Sequence, residues 1–181
     1  MNSNFFLTGS PRSGKSSLIQ KYLSIINVKP AGFIVQRLLL GNKTRGFRLA
    51  DLSEEPYRLS LPYKGRTSSL LIYKKEGEKK WKPVISTFDQ AGRRALEKGA
   101  GKKLVIMDEL GIFEKEASLF QKAVFDRLNA PETVLGVIKN KQSPFLNQIR
   151  QMKDMHIASV EDPKTPQQLE KFLQERGLLP L

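Results

Sequence analysis

The stretch GSPRSGKSS, residues 9–17, follows directly on the apolar run NFFLT at 4–8. Its spacing, G-x-x-x-x-G-K-[ST] from Gly9 to Ser16, narrows the folds open to this chain more than any other feature. Between a strand and a helix, such a loop wraps phosphate oxygens in backbone N–H groups. Gly9 and Gly14 allow backbone conformations and a close approach that a Cβ would block. The amides of residues 11–16 point inward, and a helix starting near Lys15 adds its positive N-terminal end. The expected phosphate-binding set is therefore Gly9, Ser10, Pro11, Arg12, Ser13, Gly14, Lys15, Ser16 and Ser17. Lys15 is expected to bridge β- and γ-phosphate oxygens, and the Ser16 hydroxyl to take one position on a Mg²⁺ ion.

A phosphate cradle needs a metal counter-charge, and LVIMDE at 104–109 supplies the second half. Leu104 to Met107 form a buried strand that ends in Asp108 and Glu109. Adjacent carboxylates at a buried strand end are costly without a cation nearby. Asp108 is expected to hold the Mg²⁺ shell, and Glu109 to orient or deprotonate an attacking water. Glu114, five residues on, is a candidate brace for the loop. Arg12, Arg37, Arg45, Arg93 and Arg94 are the arginines that could reach a γ-phosphate, each more simply explained as a solvated surface residue.

The rest of the chain alternates strand and helix. Helical spacing runs over 14–26 (Leu18, Tyr22, Ile25, Ile26), 86–99 (Phe88, Ala91, Ala95, Leu96) and 117–129 (Phe120, Ala123, Val124, Leu128). Two later helices open on Ser143-Pro144 and on Thr165-Pro166, with Thr165 expected as N-cap and Gln168 reaching back to it. Buried strands are expected at 103–111, at TVLGVIK and at MHIASV. The middle third, about 32–82, reads instead as an antiparallel excursion, with a hairpin across GNKT and further short strands. The 181 residues then make one α/β domain: a mostly parallel sheet covered by helices on both faces, with ligands at the carboxyl ends of the strands.

Composition excludes more than it assigns. No apolar run approaches the roughly 18–20 residues that span a bilayer, and MNSNFFLTGS carries no basic leader, so a cytoplasmic protein without a membrane partner is expected. No cysteine is present and His156 is the sole histidine, which leaves no thiolate or His-based metal site. Lys plus Arg number 31 against 18 acidic residues, a net charge of +13 that concentrates polyanions near the surface. YKKEGEKKWKP at 73–83 interleaves Tyr73 and Trp81 with five lysines, a pattern suited to a nucleic-acid backbone. Glu76 and Glu78 weaken it, and a solvated hairpin tip with inward-packed aromatics is the preferred reading.

Taken together, the chain resembles the P-loop nucleoside-triphosphatase family, the family of the cancer-related nucleoside-triphosphatases. The resemblance is carried by TGSPRSGKSSL, by GF at 32–33 and again at 46–47, by STFDQ, and by VIMDELGIFE followed by LF at 119–120. It implies a three-layer, RecA-like P-loop fold and Mg²⁺-dependent hydrolysis of nucleoside triphosphates such as ATP or GTP. In that reading Lys15 and Glu109 are catalytic, and Ser16 and Asp108 hold the metal. The chain departs from the family where Glu-Val-Arg and a later Arg are usual, reading Arg37-Leu38-Leu39 and Thr44, and where Asn-Arg is usual, reading EDPKTP at 161–166. Two rival functions remain: a phosphotransferase with a small acceptor, and a nucleotide- or nucleic-acid-binding regulator with little turnover. A guanine-reading Asn-Lys-x-Asp is absent, since KNKQ ends in Gln142, so base preference stays open.

Overall fold

A computed structural model describes residues 4–65, 67–75 and 77–180. Among the described residues nine strands form one sheet: β1 (Asn4–Thr8), β2 (Ala31–Leu40), β3 (Lys43–Asp51), β4 (Ser60–Pro62), β5 (Leu70–Tyr73), β6 (Lys82–Pro83), β7 (Leu104–Leu110), β8 (Thr133–Ile138) and β9 (Met155–Ser159). Five of them pair in parallel in the order β2-β7-β8-β1-β9. These strands read as continuous apolar runs because helices cover both of their faces. β3, β5 and β6 then add antiparallel beyond β2.

β2 belongs to both parts of the sheet, and its antiparallel pairing with β3 begins at Phe33, where the sequence places the start of the excursion. Its first four residues, Ala31 to Ile34, pair in parallel with β7, and the strand then runs on to Leu40 against β3. The expected short strand at RLSLPY forms as β4, but it pairs in parallel with Arg37–Leu39 of β2 and is not antiparallel. Hydrophobic period alone cannot tell those two pairings apart.

Each face of the sheet buries its own core. On one side Phe5, Leu7, Ile34, Leu104, Ile106, Leu135 and Val137 pack under α1 (Lys15–Leu23) and the C-terminal helix Thr165–Glu175. On the other, Phe6, Phe33, Val105, Met107, Val134 and Ile138 pack under helices at 85–97, 118–128 and 144–150. Phe120 meets Phe33 and Phe88 edge-on, with ring centroids 5.4 and 5.5 Å apart. Such pairs contribute about 0.5–1.5 kcal/mol each beyond their buried area.

Several local expectations shift. Helix 85–97 is continuous but passes through a π-turn at Phe88–Gly92. Asp89, in STFDQ, accepts from Phe120 N at 2.9 Å and so caps helix 118–128, whose own N-cap, Ala117, has no side-chain acceptor. All four residues expected inward on that helix are buried. α1 ends at Leu23, earlier than the sequence spacing suggests, and buries Ile19 and Tyr22 while Ile25 is left exposed. Ser143 caps its helix as expected, accepting from Leu146 N at 3.2 Å. Thr165 does not: Lys164 is the N-cap, and the Thr165 hydroxyl instead donates to the Ser159 carbonyl at the end of β9. The same half-buried carbonyl also accepts from Asp162 N at 3.0 Å, so the hydroxyl ties the start of the helix to the turn that follows β9.

The first Gly-Phe pair has a steric reason. Gly32 has φ +93°, and a Cβ there would lie 2.1 Å from the Ile106 carbonyl oxygen of β7. Gly32→Ala should lower stability by about 2–4 kcal/mol through backbone strain and a displaced β2–β7 pairing. Urea unfolding checks this, and a loss below 1 kcal/mol (within the scatter of about ±0.5 kcal/mol for neutral changes) would show that the strands part easily.

Candidate functional site

The loop between β1 and α1 takes the form its spacing predicts. Gly9, Arg12 and Gly14 all have positive φ, at 137°, 62° and 92°. Gly14 is the N-cap residue of α1, and added side-chain atoms there would meet nothing within 4 Å. Arg12 in this region is uncommon for a side-chain-bearing residue and marks a backbone bent for a purpose. The buried Lys15 ammonium folds back over the loop, donating to Gly9 O at 3.1 Å, Ser10 O at 2.6 Å and Ser13 Oγ at 3.2 Å. Pro11, Arg12 and Ser17 lie exposed on the loop's rim.

The two halves of the expected site meet. Ser16 Oγ donates to Asp108 Oδ1 at 3.1 Å, joining the first turn of α1 to the end of β7 across 92 residues of sequence. β8 lies between β1 and β7, so the contact spans two strand spacings, about 10 Å at 4.7–4.9 Å each. α1 crosses that gap because it leaves β1 at a point where the chain turns from one direction of the sheet to the other.

Asp108 is 2% exposed. Burial is the largest influence on its carboxyl and pushes it up to about 6, with Glu109 adding to the rise; Tyr57, Ser16 and Lys15 oppose it. Tyr57 donates its hydroxyl to Asp108 Oδ2 and is also 3.2 Å from the Ser16 carbonyl. Burial first, and the Asp108 charge second, raise the Tyr57 phenol well above its ordinary range, so it stays a donor. No local pattern pointed to Tyr57, which stands in the irregular segment between β3 and β4.

Glu109 lies on the other side of the strand from Asp108, and its Oε1 pairs with Lys139 Nζ at 2.9 Å. Lys139 immediately follows β8, at the carboxyl end of a strand beside the loop, which is the position where side chains reach a ligand. Glu114 is the brace expected: it is buried, and its Oε1 accepts from Gly111 N at 3.0 Å. Desolvation pushes its carboxyl up to about 7. Glu161, in the EDPKTP stretch, reaches the phosphate loop, where its Oε1 accepts from Ser10 N at 3.0 Å. The bonds from Ser10 come first, with those from Ser159 and the Lys15 charge, in holding the Glu161 carboxyl below its usual range.

Apart from Arg12, which stands in the loop itself, the arginine candidates lie on the central hairpin and on helix 85–97. Arg37 is exposed on β2, in register with Phe47 of β3, and Arg93 pairs with Glu97 one turn along its own helix. Arg45 lies in β3. Trp81 is partly buried and packs edge-on against Phe47 at 5.3 Å, with Lys74 over its ring, so that face is spent on packing. Glu78 accepts from Lys82 at 2.9 Å, whereas Glu76 lies outside the described residues.

The residues present fit a magnesium ion. Ser16 and Asp108 offer hard oxygen donors, and a desolvated carboxylate is a site short of positive charge. Among the described residues no cluster of three or more His, Cys, Asp or Glu side chains could enclose a metal. Mg²⁺ suits such a place, since it keeps several waters and shares its shell with phosphate oxygens.

The family model described as NTPase matches residues 4–171. The chain belongs to this NTPase family. It is similar to the nucleoside-triphosphatase THEP1 of Thermotoga maritima, 27% identical over 171 residues, covering 92% of this chain and 91% of that protein. The human cancer-related nucleoside-triphosphatase is 29% identical over 175 residues, covering 88% of this chain and 89% of that one. Among solved structures, THEP1 from Aquifex aeolicus superposes with a TM-score of 0.70 at 18% identity over 95% of this chain and 98% of its own, a likeness of fold. The matched span takes in the loop, Asp108, Glu109 and Glu161 alike.

The raised Asp108 pKa has a sign that can be tested. The folded chain holds that proton more tightly than the unfolded one, whose pKa is near the ordinary 3.8. Stability contributed there therefore falls as pH rises from about 4 to about 6, then levels off. In metal-free buffer, Asp108→Asn should raise unfolding free energy at pH 7.5 by about 1–3 kcal/mol, a gain fading toward pH 4. Urea titrations at the two pH values check it.

Proposed function

We propose that this chain is a Mg²⁺-dependent nucleoside-triphosphatase, acting on ATP, GTP and related triphosphates without strong choice of base. The supporting observation is the Ser16–Asp108 hydrogen bond, which brings a phosphate loop and a buried carboxylate within reach of one ion. The curated relatives are themselves named nucleoside-triphosphatases. Residence in the cytoplasm belongs to the same proposal, and fits a cysteine-free chain acting on nucleoside triphosphates. Among the described residues no helix is long and apolar enough to cross a membrane.

In this reading the backbone N–H groups of Arg12, Gly14, Lys15 and Ser16, at the N-terminus of α1, hold the β-phosphate. The Lys15 ammonium exchanges its bonds to Gly9, Ser10 and Ser13 for β- and γ-phosphate oxygens. Ser16 and Asp108 would hold the magnesium, which supplies positive charge where negative charge develops on the leaving diphosphate. Tyr57 keeps Asp108 oriented through Oδ2. Lys139 engages Glu109 Oε1, so Oε2 is the atom that orients a water and takes its proton as the water oxygen bonds to γ-phosphorus. The bond from γ-phosphorus to the bridging oxygen breaks, releasing diphosphate and phosphate.

Two substitutions separate binding from turnover. Lys15→Ala should weaken triphosphate binding by about 1.5–3 kcal/mol, the value of a charge-assisted hydrogen bond, and slow turnover as well. Glu109→Gln should leave binding nearly unchanged while turnover falls about 10²-fold or more. Binding by calorimetry and phosphate release without any acceptor, across the four ribonucleotides and with or without Mg²⁺, measure both. Phosphate release that appears only on adding an acceptor would make the chain a phosphotransferase.

A further inference from the structure

A second cavity, of about 180 Å³, opens beside Glu109 on the face of the sheet opposite α1. Its walls are apolar and aromatic, from Val35 on β2, Phe47 on β3, Leu71 on β5, then Trp81 and Phe113. None of the loop residues 9–17 lines it. Its size matters, because a cavity of about 150 Å³ lined by such side chains holds a benzene ring.

One polar group in this wall lacks a partner. Glu114 is 3% exposed, and while Oε1 accepts from Gly111 N, Oε2 has no hydrogen-bond partner among the described residues. A buried carboxylate oxygen left without a donor is costly, and native structures rarely leave one so without a functional reason. Gly111 and Glu114 both border the cavity, which puts this carboxylate in its wall. At the rim, Glu109 is paired with Lys139, whose ammonium also lies 5.7 Å from the Phe113 ring centroid, so Lys139 is already engaged. The cavity therefore offers flat apolar walls, an acceptor without a donor and, counting Glu109 and Glu114 against Lys139, an excess of acidic groups.

We infer that this cavity is a binding site for a small planar ring bearing N–H donors, of the amidine or amino-heterocycle class, distinct from the phosphate cradle. The ring packs against the cavity-facing sides of Phe47, Trp81 and Phe113, its N–H group donates to Glu114 Oε2, and its edge rests against Glu109. The assignment requires no nucleotide, although the cavity shares Glu109 with the hydrolase reading.

Trp81 is the chain's single tryptophan and lines the cavity, so its emission reports occupancy directly. Benzamidine is the probe, and acetophenone, similar in size but without an N–H, is the control. Benzamidine should shift Trp81 emission saturably with a Kd about 1 mM, as suits so few atoms, and acetophenone should bind about tenfold more weakly. Glu114→Gln, which turns an amide N–H toward the cavity, should weaken benzamidine about tenfold and leave acetophenone unchanged. Val35→Phe, which fills the space without touching Glu114, should abolish both. Saturating ADP should leave benzamidine affinity unaltered. The inference is overturned if neither probe gives a saturable shift, if the two bind alike, if Glu114→Gln or Val35→Phe leaves benzamidine binding intact, or if ADP competes.

Discussion

The organisation of this molecule turns on a carboxylate taken out of water. Asp108 is buried at the end of β7, and three groups from distant parts of the chain converge on it: the Ser16 hydroxyl, the Tyr57 phenol and the Lys15 charge. Their contributions lower its pKa, yet burial outweighs them, and the carboxyl remains far more basic than a solvated aspartate. A site left in that condition attracts a cation. The sheet order follows the same logic, since β8 holds β1 and β7 at a separation that α1 and its loop can span.

Most of this was legible in the chain itself, for physical reasons that differ element by element. The phosphate loop was readable because its backbone needs two glycines and a lysine at fixed offsets, a local demand. The β7 carboxylates were readable because four buried apolar residues ending in two charges make sense only beside a counter-charge. The amphipathic helix 118–128 was readable from its period. What was hidden is what depends on contacts across sequence. Tyr57 is 51 residues from the aspartate it serves, and Asp89 caps a helix 31 residues away. The parallel pairing of β4 and the loss of the Thr165 cap were decided by neighbours in space, against local preference.

The departures from the family pattern also acquire a physical content. Where EDPKTP replaces the usual Asn-Arg, it puts Glu161 on the Ser10 amide, a carboxylate at the very mouth that phosphates would enter. On the central hairpin Arg37 is exposed. Lys139, at the end of β8, is instead the cation that meets Glu109. Beside Arg12 in the loop, the cations bonded at this candidate site are the compact ammonium groups of Lys15 and Lys139.

The continuity of β2 bears on how the molecule can move. One unbroken ten-residue strand is stitched at its start to β7, beside the carboxylates, and along its length to β3. A flap joined by a floppy tether could swing without disturbing its base, but a ribbon fixed at both ends must twist as a whole. Displacement at the distal antiparallel edge is therefore felt at Ile34, which pairs with Asp108 itself. The hairpin acts as a stiff lever whose short arm ends at the buried carboxylate of Asp108.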